Sequence, residues 1–249
     1  MRHPHPHTAG GSGGAALSRT AFGFGHRRPV AVDIPHEPVA TGGRGGYLCG
    51  DVDNGEMESG LPDEAEKPVN AGIIGEIERR AIVIADYDPA WPRRFALEEA
   101  RIRGALGPAA LSVEHVGSTA VPGLAAKPIT DILLVVEDSS DEGTYLTHLE
   151  REGYVLRVRE PYFEEHRMVR TPEKDVHIHI YSPDSREGER LILMRDHLRH
   201  DRADRELYAS TKRELARRDW PTMQHYADAK TQVIQEILVR ARRSARKPR

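Results

Sequence analysis

Cysteine is nearly absent from this chain, because Cys49 is the single one among 249 residues. An intrachain disulfide is therefore impossible, and a zinc site built from cysteines is excluded. Aromatic residues make up only 6%, and no apolar run approaches the roughly 18 residues that a membrane helix needs. The net charge of −3 gives no general attraction to nucleic acid, and Met1–His7 lacks the apolar core of a signal peptide. We therefore expect a cytoplasmic protein that binds neither membranes nor nucleic acid.

Glycine is distributed unevenly along the chain. Of the 22 glycines, 15 fall within residues 1–75, where they flank proline-rich sequence without a period of 2 or 3.6. Such a segment buries too little apolar surface to offset its ordering entropy. We predict a disordered Gly/Pro-rich extension over residues 1–75, a folded domain over residues 76–243 and a basic tail over residues 244–249.

The folded part alternates between strand-like and helix-like patterns. Asp88 is expected to cap the first helix, and Pro89 suits its first position. Their order predicts an α+β fold, with a small mixed β-sheet flanked by helices and a helical C-terminal portion. The predicted strands are residues 81–85, 111–116, 131–136, 154–159, 166–170 and 176–181; the predicted helices are residues 92–106, 141–152, 187–200, 202–217 and 223–243.

A small-residue turn precedes a strand that opens on a carboxylate. In the turn, Gly117 allows a close backbone approach, while Ser118 and Thr119 offer hydroxyl groups to a phosphate. Asp131 begins the apolar strand that follows, and a buried carboxylate there requires a cation as its partner. The alternative for Gly117-Ser118-Thr119 is a plain connecting turn without a ligand. The cation beside Asp131 can be either a metal ion or a basic side chain.

A second strand alternates polar and apolar residues without interruption. Asp175, His177 and His179 are spaced to lie on one face, and the residues between them are apolar. A carboxylate and two imidazoles can hold one metal ion, and such a set suits Zn, Mn, Ni or Fe better than Mg. The alternative is a polar stripe of hydrogen-bonded imidazoles.

The remaining candidates are basic, and each allows two interpretations. Lys127 can act in the site, by neutralising a phosphate or pairing with Asp131, or it can be an ordinary solvated lysine. Arg167 can face the same cleft or form an ion pair with a neighbouring glutamate. Arg195 can belong to a basic helical face for an anionic ligand or to an ordinary charged surface. Lys212 and Lys230 each follow a tyrosine by four residues, so they either pack along its ring or help to wall a nucleotide cleft.

Residues 114–132, EHVGSTAVPGLAAKPITDI, resemble the signature of the GrpB family. The resemblance extends over about residues 81–242. It implies a nucleotidyltransferase-like fold that is also found fused to dephospho-CoA kinase, with a nucleotide or nucleotide-like small molecule as partner. Further matching motifs are Asp88-Pro89-Ala90-Trp91-Pro92, Glu165-His166-Arg167, His177-Ile178-His179-Ile180-Tyr181 and Arg195-Asp196-His197-Leu198-Arg199.

The chain departs from active nucleotidyltransferases at one position. Those similar to this fold carry two carboxylates at i and i+2 of one strand, whereas Leu133 follows Asp131 at that spacing. The resemblance implies a divalent metal, Mg or Mn in a nucleotidyltransferase, with Zn as an option at the histidine pair. Three functions stay open: a metal-dependent nucleotidyltransferase with Asp131, His177 and His179 in its centre, a non-catalytic module for a nucleotide or a coenzyme-A-like ligand, and a metal-dependent hydrolase using Asp175, His177 and His179.

Overall fold

The computed structural model describes residues 72–79 and 81–246, so most of the extension predicted to be disordered lies outside the described residues. None of the described helices is both long and apolar enough to cross a membrane. The strands are β1 (Ser112–Val116), β2 (Thr130–Val135), β3 (Val155–Glu160), β4 (His166–Arg170) and β5 (Val176–Tyr181); the helices are α1 (Trp91–Leu106), α2 (Leu146–Arg151), α3 (Arg186–His200), α4 (Arg202–Leu215), α5 (Met223–Asp228) and α6 (Thr231–Ala245).

The five strands form one mixed sheet in the order β1-β2-β5-β4-β3. Strands β2 and β5 are parallel, and the other neighbouring pairs are antiparallel. The crossover from β2 to β5 contains α2 and the β3–β4 hairpin. The predicted α+β class, with a small mixed sheet and a helical C-terminal portion, is confirmed.

The main core lies on one face of the sheet. Alternate residues of the central strands point there, and Ile132 and Ile178 are fully buried. Helices α1 and α2 cover this face through Ile102 and Leu149, which belong to the same apolar cluster. Because side chains alternate along a strand, Asp131, in register with His177, faces the opposite side.

That opposite face is only partly covered. Near β1 and β2, helix α3 packs Leu191 and Ile192 against Leu133 and Tyr181. A separate apolar cluster holds the C-terminal helices against the connection between β1 and β2. Towards β3 and β4, a cleft of about 680 Å³ opens between the sheet and the segment around α5.

Several predicted boundaries are wrong. No strand forms over residues 81–85, because only Ala85 finds a partner there, exchanging two hydrogen bonds of 2.9 Å with Ala126. Helix α1 begins at Trp91, and Asp88 caps the preceding turn by accepting from the backbone of Ala90. Residues 141–152 divide into a short 3₁₀ turn and α2. The predicted helix 223–243 is two helices, because the backbone tightens at Lys230 to an i−3 hydrogen bond.

Candidate functional site

Asp131, His177 and His179 lie together on the open face of the sheet. In the parallel β2–β5 pair, Asp131 is opposite His177, and Leu133 is opposite His179. The Oδ1 atom of Asp131 is 3.6 Å from Nδ1 of His177 and 3.8 Å from Nε2 of His179. One ligand atom from each side chain can be chosen so that all three lie within 4.8 Å of one another. Parallel pairing therefore brings the predicted carboxylate and imidazoles to one point.

The turn before β2 is shaped around Asp131. Gly117 has a φ of 68°, and a Cβ atom there would lie 2.5 Å from Oδ2 of Asp131. Glycine is required on both counts, because an L side chain is strained at that φ and would collide with the carboxylate. Ser118 follows at the start of a 3₁₀ turn and is half-buried. Thr119 instead points inward, where its hydroxyl donates to the carbonyl of Ile129 at 3.0 Å.

The electrostatics of Asp131 favour its ionised form. Burial opposes the charge, but the interactions with His177 and His179 prevail and hold the pKa of Asp131 well below its ordinary value. The Nε2 atom of His177 is buried and has no hydrogen-bond partner among the described residues. This is not the nitrogen nearest Asp131, which is Nδ1. The fit to a cation rests instead on the two imidazole nitrogens that lie 3.6 and 3.8 Å from Oδ1 of Asp131, because nitrogen and carboxylate oxygen atoms are common metal ligands.

His179 is connected on its other side to a histidine and a glutamate. Its Nδ1 atom is 3.2 Å from Nε2 of His166, and Nδ1 of His166 is 2.8 Å from Oε2 of Glu160. The His166 ring is 7% exposed and stacks on Tyr181 with ring centroids 4.7 Å apart. Burial lowers the pKa of His166. The chain of contacts Glu160–His166–His179 is called the imidazole relay below.

Lysines surround the turn on the side of the C-terminal helices. Lys212 is 3% exposed, and its Nζ donates to Ser118 Oγ at 2.9 Å and to the carbonyl of Ala125 at 2.6 Å. Burial, followed by repulsion from Lys230, lowers the pKa of Lys212 to about 6. Burial likewise lowers the pKa of Lys230. Two lysine amines with lowered pKa values therefore lie close together beside a turn suited to an anion.

Both predicted tyrosine–lysine pairs form. The Nζ atom of Lys212 is 4.5 Å from the centroid of the Tyr208 ring, and that of Lys230 is 4.8 Å from the Tyr226 ring. Lys127 also lines the cleft, and its Nζ atom is 5.3 Å from the centroid of the Tyr226 ring, which Lys230 already contacts. The lysines are thus held over aromatic faces, which support a cation electrostatically.

The two predicted arginines lie elsewhere. Arg167 is in register with Ile180, on the face opposite Asp131, and its Nε donates to Glu142 at 2.6 Å. The guanidinium of Arg195 is buried and bonds Glu114 at 2.8 Å and Asp196 at 2.7 Å. Both guanidinium groups are engaged by carboxylates away from the cluster.

Asp175 is also separate from the group formed by Asp131, His177 and His179, although it precedes β5 at the predicted spacing. Its carboxylate accepts from the Thr171 hydroxyl at 2.8 Å and pairs with Arg94 at 3.3 Å. The acid that joins the two histidines is therefore Asp131, from the neighbouring strand.

A second acidic and imidazole group lies between the C-terminal helices. His197, Asp201 and Asp204 offer ligand atoms within 4.8 Å of one another. Here, however, Nε of Arg240 donates to both carboxylate oxygens of Asp204, at 2.9 and 3.0 Å. The guanidinium already supplies the positive charge, and we interpret this group as an ion-pair network between α3, α4 and α6.

Sequence reasoning missed His166 and Glu160 as members of the site. His166 stands in the Glu165-His166-Arg167 motif, so its presence was noted without a role. The missing information is the β4–β5 register, which places Met168 opposite His179 and brings His166 to the same face. Glu160 then follows, because it is paired with His166 across the β3–β4 hairpin.

The profile of the family described as GrpB protein matches residues 81–240. The chain belongs to the GrpB family. A UPF0157 protein of Halalkalibacterium halodurans is 51% identical over 170 residues, which cover 68% of this chain and 87% of that protein. The crystal structure of GrpB from Enterococcus faecalis is 31% identical, with a TM-score of 0.60, and covers 66% of this chain and 100% of that one.

A third relative has a different name. A dephospho-CoA kinase of Mycolicibacterium paratuberculosis is 32% identical over 114 residues, which cover 41% of this chain and 28% of that protein. The GrpB resemblance and the α+β fold inferred from the sequence are therefore confirmed, and a GrpB-like segment also occurs within a larger protein.

Proposed function

We propose that this GrpB protein is a metal-dependent nucleotidyltransferase acting on a small-molecule acceptor, with Asp131, His177 and His179 as the ligands of one divalent cation. The observation that carries the proposal is the convergence of these three side chains, with Oδ1 of Asp131 3.6 and 3.8 Å from the two imidazoles. These distances are too long for hydrogen bonds. Ligand atoms that share one ion at bonds of about 2.0–2.2 Å are roughly 3.0–3.5 Å apart, so a small contraction completes the centre.

The phosphate side of the proposal rests on the turn and its lysines. The backbone N–H groups of Gly117 and Ser118 and the Ser118 hydroxyl would donate hydrogen bonds to phosphate oxygens. Lys127 and Lys230 would neutralise their charge from the tyrosine rings. Lys212, being 3% exposed, would act from behind Ser118 by holding its hydroxyl in place.

The proposed reaction is nucleotidyl transfer from a nucleoside triphosphate. An acceptor hydroxyl oxygen forms a bond to the α-phosphorus, the bond from that phosphorus to the bridging oxygen breaks, pyrophosphate leaves and the acceptor proton passes to water. A divalent cation supplies neutralisation of the charge that develops on the phosphate oxygens. Asp131, His177 and His179 orient the cation, and Ser118 and the lysines orient the nucleotide. Arg167 and Arg195 already bind carboxylates, so the proposal gives them no contact with the nucleotide.

A second candidate is a binding module without turnover, and Leu133 favours it. This residue stands where active nucleotidyltransferases carry a second carboxylate, it is 4% exposed, and a Cβ atom at Gly188 of α3 would lie 3.6 Å from its Cδ2. Such a module would bind a nucleotide or, given the dephospho-CoA kinase relative, a coenzyme-A-like ligand. The hydrolase interpretation loses support, because Asp175 is engaged with Thr171 and Arg94.

Thermal unfolding of the full chain tests the proposal. The melting temperature is measured with nucleoside triphosphates and with coenzyme A, each with and without MgCl₂, MnCl₂ or ZnCl₂, and pyrophosphate release is followed in parallel. A triphosphate-dependent shift that requires a divalent metal, with pyrophosphate release, supports the transferase. Metal-independent stabilisation without turnover supports the binding module.

Two matched variants make this test specific. Asp131→Asn should remove the metal-dependent shift, since it removes the charge that draws the cation. Asp175→Asn changes an acid near the same strand that contacts neither histidine in the cluster, and it should leave the shift in place. Equal responses from the two variants would place the metal elsewhere.

A further inference from the structure

We propose that Glu160 and His166 are positioning residues of the metal centre, which fix the protons of the imidazole relay so that the centre prefers borderline transition-metal ions such as Zn²⁺ over Mg²⁺. The proposal rests on the metal site proposed above and adds to it both the metal class and the residues that set it.

The first step is the direction of the hydrogen bonds in the relay. An ionised carboxylate only accepts, so Nδ1 of His166, 2.8 Å from Oε2 of Glu160, carries a proton. In a neutral imidazole the other nitrogen is then an acceptor. Nε2 of His166 therefore accepts from Nδ1 of His179 across 3.2 Å. His179 is left with a lone pair on Nε2.

The second step is what that lone pair faces. Nε2 of His179 is 3.8 Å from Oδ1 of Asp131, which is also an acceptor. When His179 is neutral, two acceptors therefore face each other across this gap, and a cation between them would satisfy both. Metal-ligating histidines commonly donate their outer N–H to another group, which fixes the tautomer and the ring orientation. In the relay, His179 donates its outer N–H to His166, and His166 in turn donates to the carboxylate of Glu160.

The third step is the rigidity of the relay. His166 is 7% exposed and lies between two rings, with centroid distances of 4.7 Å to Tyr181 and 5.4 Å to His179. Its neighbour Glu160 is fixed in register across the β3–β4 hairpin. The His179 lone pair is consequently aimed by packing as well as by hydrogen bonds, which reduces the ordering entropy of binding.

The last step is the choice of metal. Two imidazole nitrogens and one carboxylate oxygen suit Zn²⁺ and neighbouring transition metals, whereas Mg²⁺ prefers oxygen ligands in a strict octahedron. Leu133, buried under α3, withholds the additional oxygen that Mg²⁺ would use on this strand. The ligands that are present, and the absence of a second carboxylate at Leu133, therefore both favour Zn²⁺ and similar transition-metal ions over Mg²⁺.

Calorimetric titration of the metal-stripped full chain with ZnCl₂ and with MgCl₂ tests the proposal. We expect tighter binding of Zn²⁺ than of Mg²⁺ by the wild type. His166→Phe keeps a buried ring but removes both nitrogens, and it should weaken Zn²⁺ binding by about 10- to 100-fold. Glu160→Gln should have a smaller effect in the same direction. The matched control is His115→Phe, which changes a histidine of equal exposure, 7%, on the other face of the sheet, and it should leave Zn²⁺ affinity unchanged.

The outcomes separate this proposal from the one on which it rests. If Asp131→Asn abolishes Zn²⁺ binding while His166→Phe and Glu160→Gln stay within twofold of wild type, the metal site survives and the relay's role is wrong. Equal affinities for Zn²⁺ and Mg²⁺ in the wild type overturn the metal preference. If the wild type binds neither ion, the proposed function fails as well. A purely structural role for His166 would lower the melting temperature of the metal-free protein without changing the ratio of Zn²⁺ to Mg²⁺ affinity, and the visible spectrum of bound Co²⁺ provides an independent check of the ligand set.

Discussion

Lys212 should make the stability of this protein rise with pH. Its pKa falls from 10.5 to about 6 on folding, because the amine is buried and faces Lys230, Arg213 and Lys127, with only Asp131 opposing them. Between those two values the unfolded chain binds more protons than the folded protein. The free energy of unfolding therefore increases as the pH rises from about 6 towards about 10.4.

The size of the effect follows from the same two values. From pH 7 to pH 9 the unfolded lysine stays protonated while the folded amine is neutral, so each pH unit adds about 1.4 kcal/mol and the total gain is roughly 2 to 3 kcal/mol. Urea unfolding at both pH values measures the gain, and Lys212→Met should remove the part that comes from Lys212, leaving any part that comes from Lys230, whose pKa burial also lowers. The absolute stability of the variant is less informative, because the substitution also strands the carbonyl of Ala125, at a cost of about 1 to 3 kcal/mol.

The control is Lys174→Met, which removes a lysine whose side chain is 40% exposed. It should leave the pH-dependent gain as large as in the wild type. A wild type whose stability is flat between pH 7 and pH 9, or a Lys212→Met variant with the full gain, would refute the account of Lys212 as a buried amine that is neutral in the folded protein.

Three further predictions concern the turn, the ion pairs and ligand binding. Gly117→Ala should cost about 1–3 kcal/mol in urea unfolding, because of its positive φ and the collision with Asp131, whereas Gly104→Ala on the exposed surface of α1 should stabilise by about 0.5–1 kcal/mol. Arg195→Met strands two carboxylates that are each 44% exposed, so a loss of about 1–2 kcal/mol is expected, with the response of the melting temperature to metal retained. Binding of inorganic triphosphate near Lys212 should raise the pKa of that amine and take up protons at pH 7, which calorimetry in buffers of different ionisation enthalpy detects; Lys212→Met should reduce the uptake.

Local patterns predicted most of the sheet, and most clearly β5, where Val176, Ile178 and Ile180 alternate with polar residues. Strands β4 and β5 begin and end where the sequence placed them. The strand predicted over residues 81–85 failed because strand formation depends on a partner, and only Ala126 is available. The break at Lys230 is likewise invisible locally, since no glycine or proline marks it.

The candidate site divides in the same way. His177 and His179 were predicted from the alternation of their strand, and Asp131 was predicted because it opens an apolar strand after a small-residue turn. His166 was missed because its contact with His179 depends on the β4–β5 register. Arg167 and Arg195 were candidates because of their charge and their places in family motifs, and two of the carboxylates that bind them, Glu142 and Glu114, are distant in sequence.

The burial of Leu133 bears on how this protein could change in evolution. In the sequence, a single substitution to Asp would create the two-carboxylate pattern of the active enzymes. In the folded protein, that carboxylate would be forced beneath α3 beside Tyr181, at a cost of several kcal/mol unless a cation accompanied it. The two-carboxylate pattern is therefore accessible to this fold only if α3 moves away from Leu133 or a cation is bound there.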